Sequence, residues 1–298
     1  MSGHEAMSDH ESSFRRAVAT LRRDPLAVAG AVVLAVLVVV GVLGPWLAPS
    51  GTNDVDVNHM LAHPTWAHPF GTDELGRDVL SRVIVAARVS LEVAVVSVGL
   101  ALAVGVLIGL VSGYYRGWVD NALMRCMDVL FAFPVLLLAV AIVAVLGPGL
   151  TTAMVAIGVV YAPIFARVTR ASVLSVREQV FVRAAVSIGT SDARIMRRHV
   201  LPNIAAPLIV QTSLSLAFAI LSEAALSFLG LGVQPPAPSW GRMLYDGRGF
   251  VTDAWWLGVF PGAAIFVTVL AFNLVGDALR DVLDPRQLTL SEARRSTR

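Results

Sequence analysis

The chain has 298 residues, of which 56% are apolar and 15% are charged, and its net charge is only +2. Soluble domains carry roughly 25% charged residues, so this composition excludes an ordinary soluble protein, and the mean hydropathy of +0.72 indicates a membrane protein. A single cysteine, Cys126, excludes a disulfide scaffold, and the small net charge gives no reason to expect binding to nucleic acid. All 23 basic residues are arginine, so no P-loop lysine is present and any ATP that is used must be bound by another chain.

The first predicted element is an apolar run from Leu26 to Ala48, which follows a polar tail at residues 1–24. A signal peptide has an apolar region of about 7–15 residues and a small-residue cleavage site. This run is longer and ends in a Gly-Pro-Trp sequence, so we predict a retained transmembrane helix. Residues 25–87 are accordingly expected to form the first span and a polar outer loop.

Five more spans are predicted from the apolar runs that follow, at about 89–113, 127–147, 150–168, 204–229 and 255–277. Each run has about the length that a helix needs to cross the hydrocarbon core. The spans are expected to be helical because a sheet edge in lipid would leave backbone groups without partners. The sequence therefore predicts an all-α membrane protein with six transmembrane helices.

The orientation follows from the distribution of arginine, which is enriched in the cytoplasmic segments of membrane proteins. With both termini in the cytoplasm, 18 arginines lie in cytoplasmic segments and five lie outside. The reverse orientation would violate the rule. The five predicted outer arginines are Arg77, Arg82, Arg88, Arg242 and Arg248.

The cytoplasmic segment 169–203 is too long for a simple connection between spans. Apolar residues recur every three or four positions over 173–188, which predicts a helix with one apolar stripe. Gly189 is expected to end that helix, and a second helix over 193–200 is expected to stop before Pro202. Such a hairpin is suited either to lie on anionic lipid or to dock on a cytoplasmic partner.

The residues of this segment resemble the EAA loop of bacterial ABC-importer permeases. Arg183-Ala184-Ala185 is followed by Gly189 and then by Leu201-Pro202 at the spacing of that loop. In that family the loop inserts a coupling helix into a cleft of the ATPase subunit. Two positions depart from the family pattern, because Arg183 replaces the first glutamate and His199 replaces an isoleucine. The resemblance implies that coupling to the ATPase involves Arg183, Ala184, Ala185, Gly189, Asp192, Arg197, His199, Leu201 and Pro202.

Three further stretches resemble the peptide and nickel importer permeases in particular. They are residues 68–78, 226–241 and 273–286. The whole resemblance covers about residues 20–286 and implies the C-type second permease of a dipeptide or oligopeptide importer. The implied fold is that of a type I importer (MetI-like) permease with an extra N-terminal helix, a core at 88–280 and a cytoplasmic tail at 281–298.

The resemblance also implies the partners of the chain. These are a second homologous permease, two ATPase subunits that bind ATP and Mg²⁺, and an extracytoplasmic binding protein that delivers substrate to the outer loops at 49–88 and 230–254. The assembly is expected in the inner membrane of a bacterium, in contact with lipid. The chain itself is expected to bind no cofactor or metal and to catalyse no reaction. A peptide cargo is favoured over nickel or another small solute, and a secondary transporter driven by an ion gradient is the alternative from a different class.

Polar residues in the spans are candidates for the substrate pathway, because charged groups at membrane depth usually face protein or water. Glu92 and Glu223 are predicted near the outer ends of their spans, and Ser215 and Ser222 are suited to line a wet face of the fifth span. Each also fits an ordinary structural role, either as a carboxylate at the headgroup level or as a serine bonded to its own helix.

Two other groups of polar residues have simpler interpretations. His59, His63 and His68 lie within ten residues of one another, but no cysteine or acid completes a closed ligand set at a regular spacing, so a solvated loop is expected rather than a metal site. Asp128 is expected to pair with Arg125 at the start of the third span.

Overall fold

The computed structural model describes residues 24–283, so the two predicted tails lie almost entirely outside the described residues. Within this range the protein is built from helices and contains no strand. In chain order the helices are α1 (Pro25–Leu47), α2 (Val79–Tyr115), α3 (Gly117–Phe131), α4 (Val135–Leu146), α5 (Leu150–Arg177), α6 (Val180–Ser187), α7 (Asp192–Ile195), α8 (Ala205–Phe228), α9 (Trp240–Gly247) and α10 (Trp256–Leu283).

Within residues 24–283, five helical segments are long and apolar enough to cross a membrane, and a sixth span results when α3 and α4 are counted together. On that count the predicted six-helix architecture is confirmed, but the third span is not the straight helix over 127–147 that the sequence predicts. α3 and α4 meet at 90°, because Pro134 donates no backbone hydrogen bond and disfavours a helical conformation at Phe133. α4 alone has 12 residues and is about 18 Å long, less than the roughly 30 Å of the hydrocarbon core.

The second span begins earlier than its apolar run predicts. α2 starts at Val79 because the Asp78 side chain caps it, accepting a hydrogen bond of 2.8 Å from the backbone N–H of Ser81. Polar residues of this first turn are buried rather than solvated, and Arg82 is only 3% exposed. Helix α2 therefore runs through the predicted boundary at residues 87 and 88, between the first span with its loop and the core. The division of the chain at this boundary stays a prediction.

The centre of the molecule is the packing of α2 against α5 along most of their lengths. Gly105, Gly109 and Gly113 recur every four residues and lie on the face of α2 that meets α5. A Cβ atom at Gly109 would overlap the carbonyl oxygen of Ala166 and lie 2.6 Å from the Cβ of Thr169. Small residues are needed here because helices in lipid associate through close van der Waals packing.

The loop between α1 and α2, which we call the outer loop after its predicted location, is held on the start of α10 by aromatic side chains. The indole N–H of Trp256 donates to the carbonyl of Thr72 at 3.0 Å, and the rings of Phe70 and Phe260 stack at 3.8 Å. At the start of α9, the indole N–H of Trp240 donates to the carbonyl of Val83 at 3.0 Å. These contacts join the outer loop, α2, α9 and α10 into one packed layer.

The three histidines of the outer loop each have a separate partner. Nδ1 of His59 lies 2.7 Å from Asp56, and Nδ1 of His68 lies 3.0 Å from Asp78. The hydrogen bond from His59 lowers the pKa of the Asp56 carboxyl. His63 packs on the ring of Trp256 at 4.7 Å. Each ring thus has a local structural contact, and in residues 24–283 no three metal-ligating side chains gather in one place.

Candidate coupling site

The segment between α5 and α8, which is predicted to be cytoplasmic, forms two helices as predicted, but the prediction of one apolar stripe is wrong. α5 ends at Arg177, and α6 begins at Val180 after the break at Glu178 and Gln179. The break resets the helical phase, so an apolar pattern that is continuous in the sequence does not fall on one face in the structure. Within α6, Val182 is 1% exposed, whereas Val180 is 75% exposed.

Gly189 makes the sharp turn between the two helices. Its φ angle is +76°, in the left-handed region that glycine adopts without strain. The N–H of Gly189 donates to the carbonyl of Val186, and the N–H of Thr190 donates to the carbonyl of Ala185. These two bonds form a Schellman motif, which closes the C-terminus of α6.

The predicted stop before Pro202 is wrong, because the chain stays helical from Asp192 to Phe228. α7 runs into a wide turn at 196–200, in which the N–H of Leu201 reaches back five residues to the carbonyl of Met196. A 3-10 turn at Leu201–Ile204 then leads into α8. Pro202 cannot donate to the carbonyl of Arg198, and its ring would clash there, so the helix widens instead of ending.

Three fully buried side chains anchor this continuous helix on the rest of the protein. Ile195, Val200 and Ile204 are each 0% exposed. They lie on one side of the segment, and the opposite side is open to the cytoplasmic partner that the resemblance implies. We refer to residues 192–200 as the coupling helix.

Polar contacts tie the segment between α5 and α8, which we call the coupling segment, to the junction of α2 and α3. The hydroxyl of Tyr114 donates to Asp192 at 2.8 Å, and Arg116 donates to Glu178 at 2.6 Å. The hydrogen bond from Arg116 lowers the pKa of the Glu178 carboxyl. Arg177 lies over the ring of Tyr114 at 5.4 Å. Sequence reasoning missed these contacts, because Tyr114 has only the signature of an interfacial aromatic residue at the end of a span.

The exposed side of the segment combines apolar and basic residues. Ile188 is 82% exposed, and the arginines of α6 and of the coupling helix are also exposed. His199 is half-buried and lies 6.5 Å from the ring of Phe181. We call this surface the coupling face; its exposed members are Val180, Phe181, Arg183, Val186, Ile188, Arg194, Arg197 and Arg198.

The nine predicted coupling residues lie together on this one segment, in different environments. Arg183, Ala184, Arg197 and Pro202 are exposed, whereas Ala185 is buried and Leu201 is half-buried. The segment therefore presents the arginines outward and uses Ala185 for packing. Whether these residues contact an ATPase stays a prediction.

The four candidates for the substrate pathway lie in different environments. Glu92 is exposed on α2, whereas Ser215 is buried and bonds Gln211 at 3.1 Å. Ser222 bonds the hydroxyl of Tyr161 at 3.1 Å. Their role in transport stays a prediction.

Glu223 is 1% exposed within α8, and one of its carboxylate oxygens accepts from Ser227 at 2.7 Å. Its other carboxylate oxygen has no hydrogen-bond partner among the described residues. None of the four candidates lines the apolar cavity of about 880 Å³ between α1, α2, α8 and α10.

Two ion pairs join α3 to α5 on the side near the coupling segment. Asp120 is paired with Arg170 at 2.6 Å, and Asp128 is paired with Arg167 at 2.8 Å. The predicted pairing of Asp128 with Arg125 is therefore wrong, because the 90° bend brings α3 across α5 and places Arg167 at the carboxylate. Long-range pairs of this kind have no signature in local sequence spacing.

Comparison with known proteins identifies the family of the chain. Residues 105–289 match the family described as the binding-protein-dependent transport system inner membrane component, and residues 12–64 match the N-terminal TM domain of oligopeptide transport permease C. Among curated relatives, the dipeptide transport system permease protein DppC of Alkalihalophilus pseudofirmus is 44% identical over 92% of this chain and 90% of the relative. The glutathione transport system permease protein GsiD of Escherichia coli is 46% identical over 89% of this chain and 88% of the relative.

A solved structure shows the same fold. The MetNI methionine ABC transporter, in an inward-facing conformation, aligns with a TM-score of 0.55 and 17% identity over 68% of this chain and 96% of that chain. This likeness confirms the predicted importer-permease fold. The sequence similarity to the curated relatives covers nearly the whole chain. The chain therefore belongs to the family of inner-membrane components of binding-protein-dependent transport systems, and within it to the C-type permeases of ABC importers.

Proposed function

We propose that the chain forms half of the translocation pathway of an ATP-driven peptide importer. The observation that carries this proposal is the coupling helix, which is anchored by buried residues, contributes three exposed arginines to the coupling face and continues without a break into the span α8. The relatives named for dipeptide and glutathione transport support a peptide cargo over nickel or another small solute.

The assembly that we propose contains a second homologous permease, two ATPase subunits and an extracytoplasmic binding protein. ATP and Mg²⁺ belong to the ATPase subunits, and this chain contributes no cofactor and no bond chemistry. The binding protein delivers the peptide to the outer layer made by the outer loop, α9 and the start of α2. Both chain termini lie in the cytoplasm, an orientation supported by the excess of arginine in the segments on that side.

The coupling face suits an ATPase surface with an apolar cleft and an acidic rim. Ile188 and Val180 supply apolar area that a partner can bury, and the surrounding arginines supply charge-assisted hydrogen bonds to carboxylates. When two ATPase subunits close on ATP, they displace the coupling helix as a rigid body. Because the coupling helix and α8 are one continuous helical path, that displacement tilts α8 and switches access to the pathway.

The four candidate residues of the substrate pathway differ in how exposed their side chains are. Glu92 is exposed on α2 at membrane depth, where a carboxylate in contact with lipid is unfavourable. We therefore expect Glu92 to face the second permease and to meet the ammonium group of the peptide. Ser215, Ser222 and Glu223 bond to neighbouring side chains, and we expect them to fix the wall of the pathway rather than to contact the cargo directly.

Transport by the reconstituted assembly tests the proposal. The chain, its second permease, both ATPases and the binding protein are placed in proteoliposomes, and uptake of a radiolabelled dipeptide is measured with ATP on the ATPase side. We expect uptake that requires hydrolysable ATP and persists when ionophores collapse all ion gradients. Uptake that follows an ion gradient without ATP would instead establish a secondary transporter, and ATP-driven uptake of nickel but not of peptide would refute the cargo.

A further inference from the structure

The first turn of the coupling helix is tied to α2 by a single side-chain hydrogen bond. The hydroxyl of Tyr114 donates to Oδ1 of Asp192 at 2.8 Å. Within residues 24–283, no other side-chain hydrogen bond joins residues 191–200 to a different helix. The ring of Tyr114 is 5% exposed and lies beneath the Arg177 guanidinium, so packing holds the hydroxyl in place.

α2 extends from this bond to the opposite side of the membrane. It has 37 residues and is therefore about 55 Å long. Near its other end, the carbonyl of Val83 accepts the hydrogen bond from the buried indole of Trp240. Trp240 is the first residue of α9, so α2 makes contact with the coupling helix at one end and with the outer helix α9 at the other.

The close packing of α2 against α5 makes it a stiff connection. Gly105, Gly109 and Gly113 bring the two backbones together over three successive turns. Packed helices move as bodies rather than by continuous deformation. A displacement at Tyr114 is therefore carried along α2 instead of being absorbed within it.

We propose that Tyr114 is a positioning residue that fastens α2 to the coupling helix, so that one movement of the coupling helix shifts both α8 and α2 and thereby the outer helix α9. The proposal rests on the proposed function, in which an ATPase displaces the coupling helix. It adds a second route to the direct one through α8. Both routes end at α9, since α9 packs on α8 where Gly241 meets the backbone of Ala224, and α9 lies on the outer side, where the binding protein docks. Without the Tyr114 hydroxyl, a movement of the coupling helix displaces α8 but displaces α2 less.

The test compares two adjacent tyrosines in the complete transporter. Tyr114→Phe removes only the hydroxyl that bonds Asp192, whereas Tyr115→Phe removes a hydroxyl from a half-exposed side chain that has no hydrogen bond among the described residues. For each variant, peptide uptake and ATP hydrolysis are measured on the same proteoliposomes, and the thermal midpoint of the purified complex is recorded.

We expect Tyr114→Phe to lower the number of peptides imported per ATP by about fivefold, the factor that corresponds to one typical hydrogen bond. Its basal ATP hydrolysis and thermal midpoint should stay close to those of the Tyr115→Phe control. A merely structural role would lower assembly and hydrolysis together and leave the ratio unchanged. That result, or an unchanged ratio with normal stability, would overturn the proposal.

Changes at Asp192 identify the bond itself. Asp192→Ala removes the acceptor of the Tyr114 hydrogen bond and should reproduce the loss of coupling. Adding Tyr114→Phe to Asp192→Ala should cause no further loss, because both changes remove the same bond. Additive losses would contradict a shared bond. A wild-type assembly without ATP-driven uptake would refute the proposed function instead, so the two failures are distinguishable.

Discussion

Gly189 shows how one backbone angle sets the geometry of the coupling segment. Its φ of +76° lets α6 close in a Schellman motif and lets the chain turn into the coupling helix. A Cβ atom at this position would meet nothing within 4 Å. Any cost of substitution therefore comes from backbone strain and not from crowding, which makes the position a clean test of turn geometry.

We predict that Gly189→Val leaves the protein inserted but separates ATP hydrolysis from uptake. A non-glycine residue in the left-handed region costs about 1–2 kcal/mol, and valine is disfavoured further by its β-branch. The turn should then open and rotate the coupling helix away from the ATPase. The measurement is uptake per ATP in proteoliposomes, with Gly189→Asn as the control because asparagine tolerates this conformation. Normal coupling in the valine variant would show that the turn is not needed.

At the scale of elements, the glycines of α2 determine how closely it packs on α5. We predict that Gly109→Ala destabilises the protein by about 1–3 kcal/mol, the usual cost of overpacking. The added methyl group would overlap the backbone carbonyl of Ala166, which cannot move aside as a side chain could. Gly99→Ala in the same helix is the matched control, because nothing lies within 4 Å of its Cβ position.

The thermal midpoint of the purified protein measures this difference. We expect a midpoint several degrees lower for Gly109→Ala and an unchanged or slightly higher midpoint for Gly99→Ala, since alanine favours the helix over glycine. Equal midpoints for the two variants would mean that α2 and α5 do not meet through these glycines.

The wide turn after α7 depends on Pro202. We predict that Pro202→Ala restores a donor for the carbonyl of Arg198 and converts the wide turn at 196–200 into ordinary α-helix. Because the wide turn holds one residue more than an α-helical turn, its conversion to α-helix rotates the coupling helix by about 100° relative to α8. The exposed arginines of the coupling helix then point away from the partner.

Cysteine cross-linking from the coupling face to the ATPase measures this rotation. We expect the cross-link pattern of Pro202→Ala to shift to different positions of the coupling helix, with less uptake per ATP and no loss of thermal stability. An unchanged pattern would show that the wide turn has a cause other than proline.

At the scale of the whole molecule, the single cysteine offers a test of orientation. Cys126 is exposed at the end of the protein where the arginines are concentrated, and Trp66 is fully exposed in the outer loop. A membrane-impermeant maleimide should label Cys126 only in inside-out vesicles. In a Cys126→Ser background, Trp66→Cys should be labelled only in right-side-out vesicles. The opposite pattern would invert the proposed topology.

The sequence by itself determined the class of this protein, its six-span plan and its family. Apolar run length and arginine distribution are local quantities, and the residues from Arg183 to Pro202 keep a fixed spacing that carries the resemblance to the EAA loop without any knowledge of their contacts. The turn at Gly189 was also predictable, because glycine adopts the left-handed conformation at a helix end more readily than other residues.

Only the tertiary structure decided which residues meet. Asp128 was expected to pair with Arg125, but in the structure, where α3 and α4 meet at 90°, it pairs with Arg167. The apolar residues predicted to form one stripe are partly buried and partly exposed, because the helix breaks after α5. The Tyr114–Asp192 bond joins residues 78 positions apart. Contacts at such separations depend on how whole helices pack, since the free energy that selects them comes from many distant side chains together and leaves no periodic signal in the chain.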